Sequence, residues 1–220
     1  GIQRYNMRVN VDADITKWLK VGTRTFASME DKDPGNFDNA NNYLRQTTPG
    51  VYPEWQGKYG APEAPEESAT ANSLFAFLNG VDGKRKKSRF NTTVYSTVTF
   101  MKGLSWDFNL NYQRRWDEEK TWTRGIDKIR FSDGKIMSPA TAPSEMTTGF
   151  YDYANNALTL ENLLRYSTTI NDDHDIAGLL GYQEYHYYEY SNSATKKGLI
   201  DESVTTPGSA TEMISIGGGS

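Results

Sequence analysis

The sequence predicts an all-β fold: a segment of an antiparallel transmembrane β-barrel, about six long strands in three hairpins with short periplasmic turns and long extracellular loops. Three observations predict it. Several long segments alternate apolar and polar side chains with period two. Three connections are tight while two are very long. The composition joins a low apolar content, 36%, to an aromatic share of 13%, with 14 Tyr against 9 Phe. Rings at that density do not fit a disordered chain. They fit a wall in which only alternate residues meet lipid and Tyr and Trp gather at the two interfaces.

The first strand has the strictest register. Tyr5, Met7, Val9, Val11 and Ala13 alternate with Asn6, Arg8, Asn10, Asp12 and Asp14. A helix would scatter the apolar set around its circumference, whereas a strand puts all of it on one face. Asp14-Ile15-Thr16-Lys17 then turns into a second strand over 18–28.

A third strand is expected over 88–101, with Phe90, Val94, Val98 and Phe100 on one face and Asn91, Thr93, Thr97 and Thr99 on the other. Lys102-Gly103-Leu104 is a tight reversal, since Gly accepts the positive φ that such turns demand. The fourth strand, 105–116, sets Trp106, Phe108, Leu110 and Tyr112 against Asp107, Asn109, Asn111 and Gln113. The third hairpin pairs 157–170 with 176–190 around Asn171-Asp172-Asp173-His174-Asp175. Leu158, Leu160, Leu164, Tyr166 and Ile170 share one parity, as do Ile176, Leu180, Tyr182 and Tyr188. Asn162 and Glu184 intrude on these apolar faces and so test the register: a polar residue is tolerable near a rim and costly at mid-bilayer.

The long connections are expected over 29–87 and 117–156. A short-turn, long-loop alternation of this kind is what barrels keep and soluble β folds seldom do. The opening Gly1-Ile2-Gln3-Arg4-Tyr5 already reads as strand, with no signal-peptide pattern. The closing Gly217-Gly218-Gly219-Ser220 reads as a loop or linker after a polar stretch, with no closing strand. The chain is therefore expected to be cut at both ends.

Composition also narrows function. No run approaches the roughly 18 apolar residues a membrane helix requires. With 0 Cys there are no disulfides, zinc-thiolate sites or thiol nucleophiles. The formal net charge of -4, with both signs interspersed, provides no basic footprint for nucleic acid.

In order along the chain, Arg4-Tyr5-Asn6-Met7-Arg8-Val9-Asn10-Val11-Asp12 with Thr16-Lys17-Trp18-Leu19-Lys20-Val21-Gly22 resembles the opening barrel hairpin of the SusC/RagA family. Pro49-Gly50-Val51-Tyr52-Pro53 with Gly57-Lys58-Tyr59-Gly60 resembles that family's first long loop, and Asn72-Ser73-Leu74-Phe75-Ala76 its segment before the next strand. Lys102-Gly103-Leu104-Ser105-Trp106 resembles its next periplasmic turn. Glu161-Asn162-Leu163-Leu164-Arg165-Tyr166, His174-Asp175-Ile176 and Leu179-Leu180-Gly181-Tyr182 resemble its third hairpin. The resemblance implies a twenty-two-stranded outer-membrane barrel with an N-terminal plug. Such a transporter imports glycans (oligosaccharides) or peptides beneath a SusD-like lipoprotein lid, with energy delivered by TonB through the plug. Residues 1–220 then form a partial barrel domain without plug or remaining strands. The alternative reading is a secreted β-sandwich carbohydrate-binding adhesin.

Candidate residues follow from side-chain chemistry. Tyr43, Tyr52, Trp55 and Tyr59 are spaced among Pro and Gly in the first long loop. Flat rings there can stack on sugar faces or can simply pack the loop against itself or the lid. Trp116 and Trp122 flank Asp117-Glu118-Glu119-Lys120 and read as an upper aromatic girdle, with Trp122 also a binding candidate. Tyr185, Tyr187, Tyr188 and Tyr190 with His186 read as the same belt. Asp31, Asp33, Asn36, Asp38 and Asn39 around Pro34-Gly35 fail the EF-hand spacing and read as turn chemistry, as do Asp172, Asp173, His174 and Asp175. His174 and His186, at opposite ends of one strand, share no centre. Glu66-Glu67 and Glu118-Glu119 read as solvated loop pairs, so neither catalysis nor a metal or cofactor is expected. Lys84-Arg85-Lys86-Lys87 reads as a solvated rim or as a contact for anionic lipopolysaccharide.

Overall fold

The computed structural model describes residues 1–33, 44–45, 52–61, 78, 80–123, 128–136, 143–171, 173–201 and 203–219. Several sequence candidates lie outside these: Tyr43, the segments 34–43, 49–51 and 72–76, Glu66-Glu67 and Asp172. The long strands are β1 (Ile2–Asp14), β2 (Leu19–Lys32), β5 (Val81–Met101), β6 (Leu104–Thr123), β8 (Thr147–Ile170), β9 (His174–Lys197) and β10 (Glu212–Gly219). They form one seven-stranded sheet in the order β1-β2-β5-β6-β8-β9-β10, every neighbour antiparallel. Three short strands, β3 (Glu54–Trp55), β4 (Lys58–Gly60) and β7 (Lys128–Ile129), form a second, small sheet.

The period-two reading carries across the whole wall. One rung places Val11, Thr23, Val94, Leu110, Leu160 and Glu184 side by side; the next places Asn10, Arg24, Thr93, Asn111, Thr159 and Tyr185. Because partners across a ladder share a face, the first set lies on one side and the second on the other. The apolar side is open: Met7 is 57% exposed, Leu180 71% and Tyr182 60%. Among the described residues no second large sheet packs on it as in a β-sandwich, and the open face is suited to hydrocarbon. The polar side is knit by side chains. Asn111 Nδ2 donates to Asn91 Oδ1 at 3.0 Å and Thr93 Oγ1 at 2.8 Å, and Asp107 accepts from Thr97 at 2.7 Å and pairs with Arg165 at 3.1 Å.

The three turns are local chemistry. Thr16 Oγ1 accepts from the Leu19 amide at 3.0 Å and closes the first. Gly103, at φ 83, forms the second, and the backbone of Ser167 in the next strand passes so close that any Cβ there would collide with its carbonyl. Asn171, at φ 54, makes the third in the left-handed region that Asn tolerates. Each hairpin is staggered against the last. Lys20 pairs with Thr97, four residues short of the end of β5, and Leu104 with Tyr166, four short of the end of β8. Strands tilted in a barrel wall require such a stagger.

Measured from each turn, aromatic residues fall into level lines. Tyr5 is nine residues from Asp14, Tyr112 eight from Leu104 and Tyr182 eight from His174. At about 3.3 Å per residue and a tilt of about 40°, that is roughly 20–25 Å above the turns, the height of an outer-membrane apolar band. Glu184 is ten residues from His174 and so stands at the rim. It accepts there from Tyr182 Oη at 3.2 Å and meets His186 Nε2 at 2.6 Å. Glu184 is thus consistent with the register, whereas Asn162, opposite Phe108 and Tyr182 and eight residues from Ile170, stands within the band.

Several expectations are corrected. The strands extend well past their apolar segments: β5 begins at Val81 rather than residue 88, β6 ends at Thr123 rather than 116, and β8 begins at Thr147 rather than 157. Above a membrane both faces are wet, so the alternation disappears while charges hold the ladder: Arg85 pairs with Glu119 at 2.6 Å, and Lys86 stands opposite Glu118. The basic run is therefore divided inside a strand rather than placed on a rim. Glu118-Glu119 lie in β6 on opposite faces, not in a loop. The C-terminal region, expected to lack a strand, forms β10 against β9 through Met213, Ser215 and Ile216. Its glycines hid the pattern.

Candidate substrate-binding site

The small sheet builds an aromatic cleft. Glu54 pairs with Tyr59 and Trp55 with Lys58 around a two-residue turn at Gln56 and Gly57. Tyr59 and Gly60 then pair, in parallel, with Lys128 and Ile129. Two loops far apart in sequence are joined here, and the Gly60 amide donates to the Tyr52 carbonyl at 3.1 Å. Burial in this small sheet pushes the Lys128 ammonium below its usual range.

After β7 the chain reverses over Arg130–Asp133. Arg130 holds the Asp133 carboxylate through Nε at 3.0 Å and a second ion-paired nitrogen, and the Lys135 amide donates to the same carboxylate at 3.0 Å. The guanidinium first and the amide second lower the Asp133 carboxyl to about 2. This reversal brings Phe131 onto Tyr52, ring centroids 5.6 Å apart at 74°. Tyr52, Trp55 and Phe131 together line a cleft of about 260 Å³. Tyr52 and Trp55 remain 57% and 56% exposed, so their rings present broad faces for stacking.

The structure thus unites two of the sequence candidates and adds a third residue. Tyr59 stands opposite Glu54 and Lys128, on the other side of the strand from Trp55. Trp122 is not in this cleft. It lies in β6 between Asp82 and Thr148, on the outward side, under the Lys120 ammonium at 5.8 Å. Trp116 shares that side beneath Arg114 at 5.3 Å. At twelve and eighteen residues from Leu104, Trp116 and Trp122 stand above the belt marked by Tyr112. Phe131 escaped sequence reading because a single ring beside Ser-Asp-Gly in a long loop carries no periodicity. Its signal was the turn chemistry itself.

The polar side of the wall is a second surface. Arg115 pairs with Asp117 at 2.5 Å and lies 5.3 Å over the Tyr153 ring. Tyr153 Oη donates to Glu189 at 2.9 Å and Asn155 Nδ2 donates to Tyr153 Oη at 2.9 Å. The tyrosines read as one belt are divided by the strand: Tyr185 and Tyr187 stack on the polar side, 6.3 Å apart, and Tyr188 and Tyr190 face outward. Among the described residues, no group of three His, Asp or Glu gathers as a metal site. Asp31 stands between Gln3 and Lys86, and Asp33 accepts from the Gly1 amino group.

A staggered antiparallel wall with one hydrocarbon face, one polar face and loops at one end defines the barrel class of membrane protein. No family model matches the chain. It is 26% identical over 196 residues to TonB-dependent receptor P39 of Formosa agariphila, an alignment covering 87% of this chain and 17% of that protein. The fold matches the RagAB peptide transporter at TM-score 0.70 and 17% identity, and the RagAB peptide importer in its open-open state at 0.75 and 15%. Each match covers 99% of this chain and 24% of the other. The chain is accordingly similar, in sequence and fold, to a fragment of a SusC/RagA-like TonB-dependent transporter. It spans well under a third of the length of either relative.

Proposed function

We propose that this chain is part of the barrel of a SusC-like TonB-dependent transporter of the cell outer membrane that imports oligosaccharides or peptides. Its strands supply wall and lumen lining, and its loops supply the first aromatic contacts for cargo through Tyr52 and Trp55, with Tyr59 and Trp122 at the margins. A SusD-like surface lipoprotein covers the loops, and TonB acts through a plug carried elsewhere in the protein. No residue here is assigned a catalytic role. The observation that carries this reading is the seven-stranded wall with opposite polar and apolar faces and an open aromatic cleft on its loop end. The likeness to the RagAB peptide importer supports it.

Growth of the native host on defined oligosaccharides and peptides, compared between wild type, a deletion of the parent gene, and the Tyr52→Ala/Trp55→Ala variant, tests it. Deletion abolishes growth on one cargo class. The variant, still present in outer-membrane fractions, needs about tenfold more of that cargo, as loss of one or two stacking rings predicts. Unchanged uptake of every cargo in the deletion strain sinks the proposal.

A further inference from the structure

We infer that Arg8 and Arg24, with the amides of Asn10 and Asn91, form an oxyanion-binding subsite that takes a carboxylate or sulfate group of the cargo. The inference rests on the transporter reading, which makes the polar face the lumen. Arg8, Phe26 and Asn91 share one rung of that face, and Asn10, Arg24 and Thr93 the next. They line a cleft of about 250 Å³ that contains no carboxylate.

Four arginines on this face each pair with an acid: Arg4 with Glu30, Arg85 with Glu119, Arg115 with Asp117 and Arg165 with Asp107; Arg89, between Ser28 and Arg115 on the same face, is outside the cleft. Arg8 and Arg24 are held differently, by rings. The Arg8 guanidinium lies 5.6 Å over Phe26 and that of Arg24 5.0 Å over Tyr95. Neither makes a hydrogen bond or ion pair to another described residue. A ring face fixes the guanidinium plane without using its N–H donors, so both forks stay available to a planar or tetrahedral anion. The two residues occupy diagonal positions of the ladder, about 7–8 Å apart. Two positive side chains lining one cleft without a carboxylate favour an anion there.

Arginine modification by phenylglyoxal, followed residue by residue by mass spectrometry on the full-length transporter in detergent, tests the subsite with inorganic sulfate as probe. Arg8 and Arg24 react about tenfold faster than ion-paired Arg4, and sulfate slows both about fivefold while chloride of equal ionic strength does not. Equal effects of sulfate and chloride overturn the subsite. So does a lack of reactivity at both residues from the outset, which would mean that another segment of the parent protein already occupies them. The growth assay of the deletion strain separates the two claims. Lost uptake without sulfate protection defeats the subsite alone, and protection without any uptake defect defeats the transporter reading alone.

Discussion

The ring of Tyr95 lies across Gly22 of the neighbouring strand, where a Cβ would collide with its Cζ and Oη. The two residues are ladder partners, and the crossing buries the Tyr95 hydroxyl without a hydrogen-bond partner among the described residues. The ring in turn carries Arg24, 5.0 Å above it.

Gly22→Val therefore expels the ring and releases Arg24. An overpacked contact of this kind costs about 1–3 kcal/mol. Urea unfolding of the full-length protein in lipid vesicles, read by the heat-dependent shift in gel mobility, checks it. An unchanged midpoint would show that Tyr95 is free to move aside.

The second hairpin turn makes a different demand. Gly103 needs both a positive φ and room for the Ser167 backbone, whose amide donates to the Gly103 carbonyl at 2.8 Å. Gly103→Ala meets strain and collision together and costs at least about 1 kcal/mol. Refolding into vesicles is slower and the unfolding midpoint falls. Normal behaviour of the alanine variant would remove the close approach from the account.

Sidedness has a sharper test at two adjacent residues of β6. Leu110→Arg places a charge in hydrocarbon and destabilises the barrel by about 2–4 kcal/mol, whereas Asn111→Arg points to the lumen and costs far less. Vesicle unfolding measures both. Equal costs would mean that the two faces do not differ in solvent.

The loop reversal responds to acid. Asp133, lowered to about 2 by Arg130 and the Lys135 amide, has a folded value below the ordinary 3.8 of an aspartate. Its contribution is thus full above the unfolded value and is lost as pH falls from there through about 2. Hydrogen exchange at residues 130–135 should show Asp133→Asn less protected than wild type at pH 5, with the difference vanishing near pH 2. A difference that persists in acid would assign the ordering of Phe131 to something other than this carboxylate.

The strands that cross the apolar band were legible because alternation there answers a single physical question, lipid or water, at every residue from Tyr5 to Ala13 and from Trp106 to Gln113. The upper strand segments were not, because Arg85 and Glu119 meet water on both faces and carry no periodic signal. Strand β10 was hidden for a related reason: Gly217, Gly218 and Gly219 have no side chains to alternate. Trp55 and Tyr52 were readable as exposed rings among Pro and Gly, but their partner Phe131 was not.

Local chemistry by itself determined which residues form strands within the membrane band, which side of each strand is apolar, and where the three tight turns fall, since each depends on neighbours a few positions away. The tertiary structure alone decided what lies beside what. Only inter-strand register sets the basic run against Asp117, Glu118 and Glu119, brings Phe131 to Tyr52, and leaves Arg8 and Arg24 facing one cleft without an acid, because those contacts link segments whose separation in sequence carries no information about their distance.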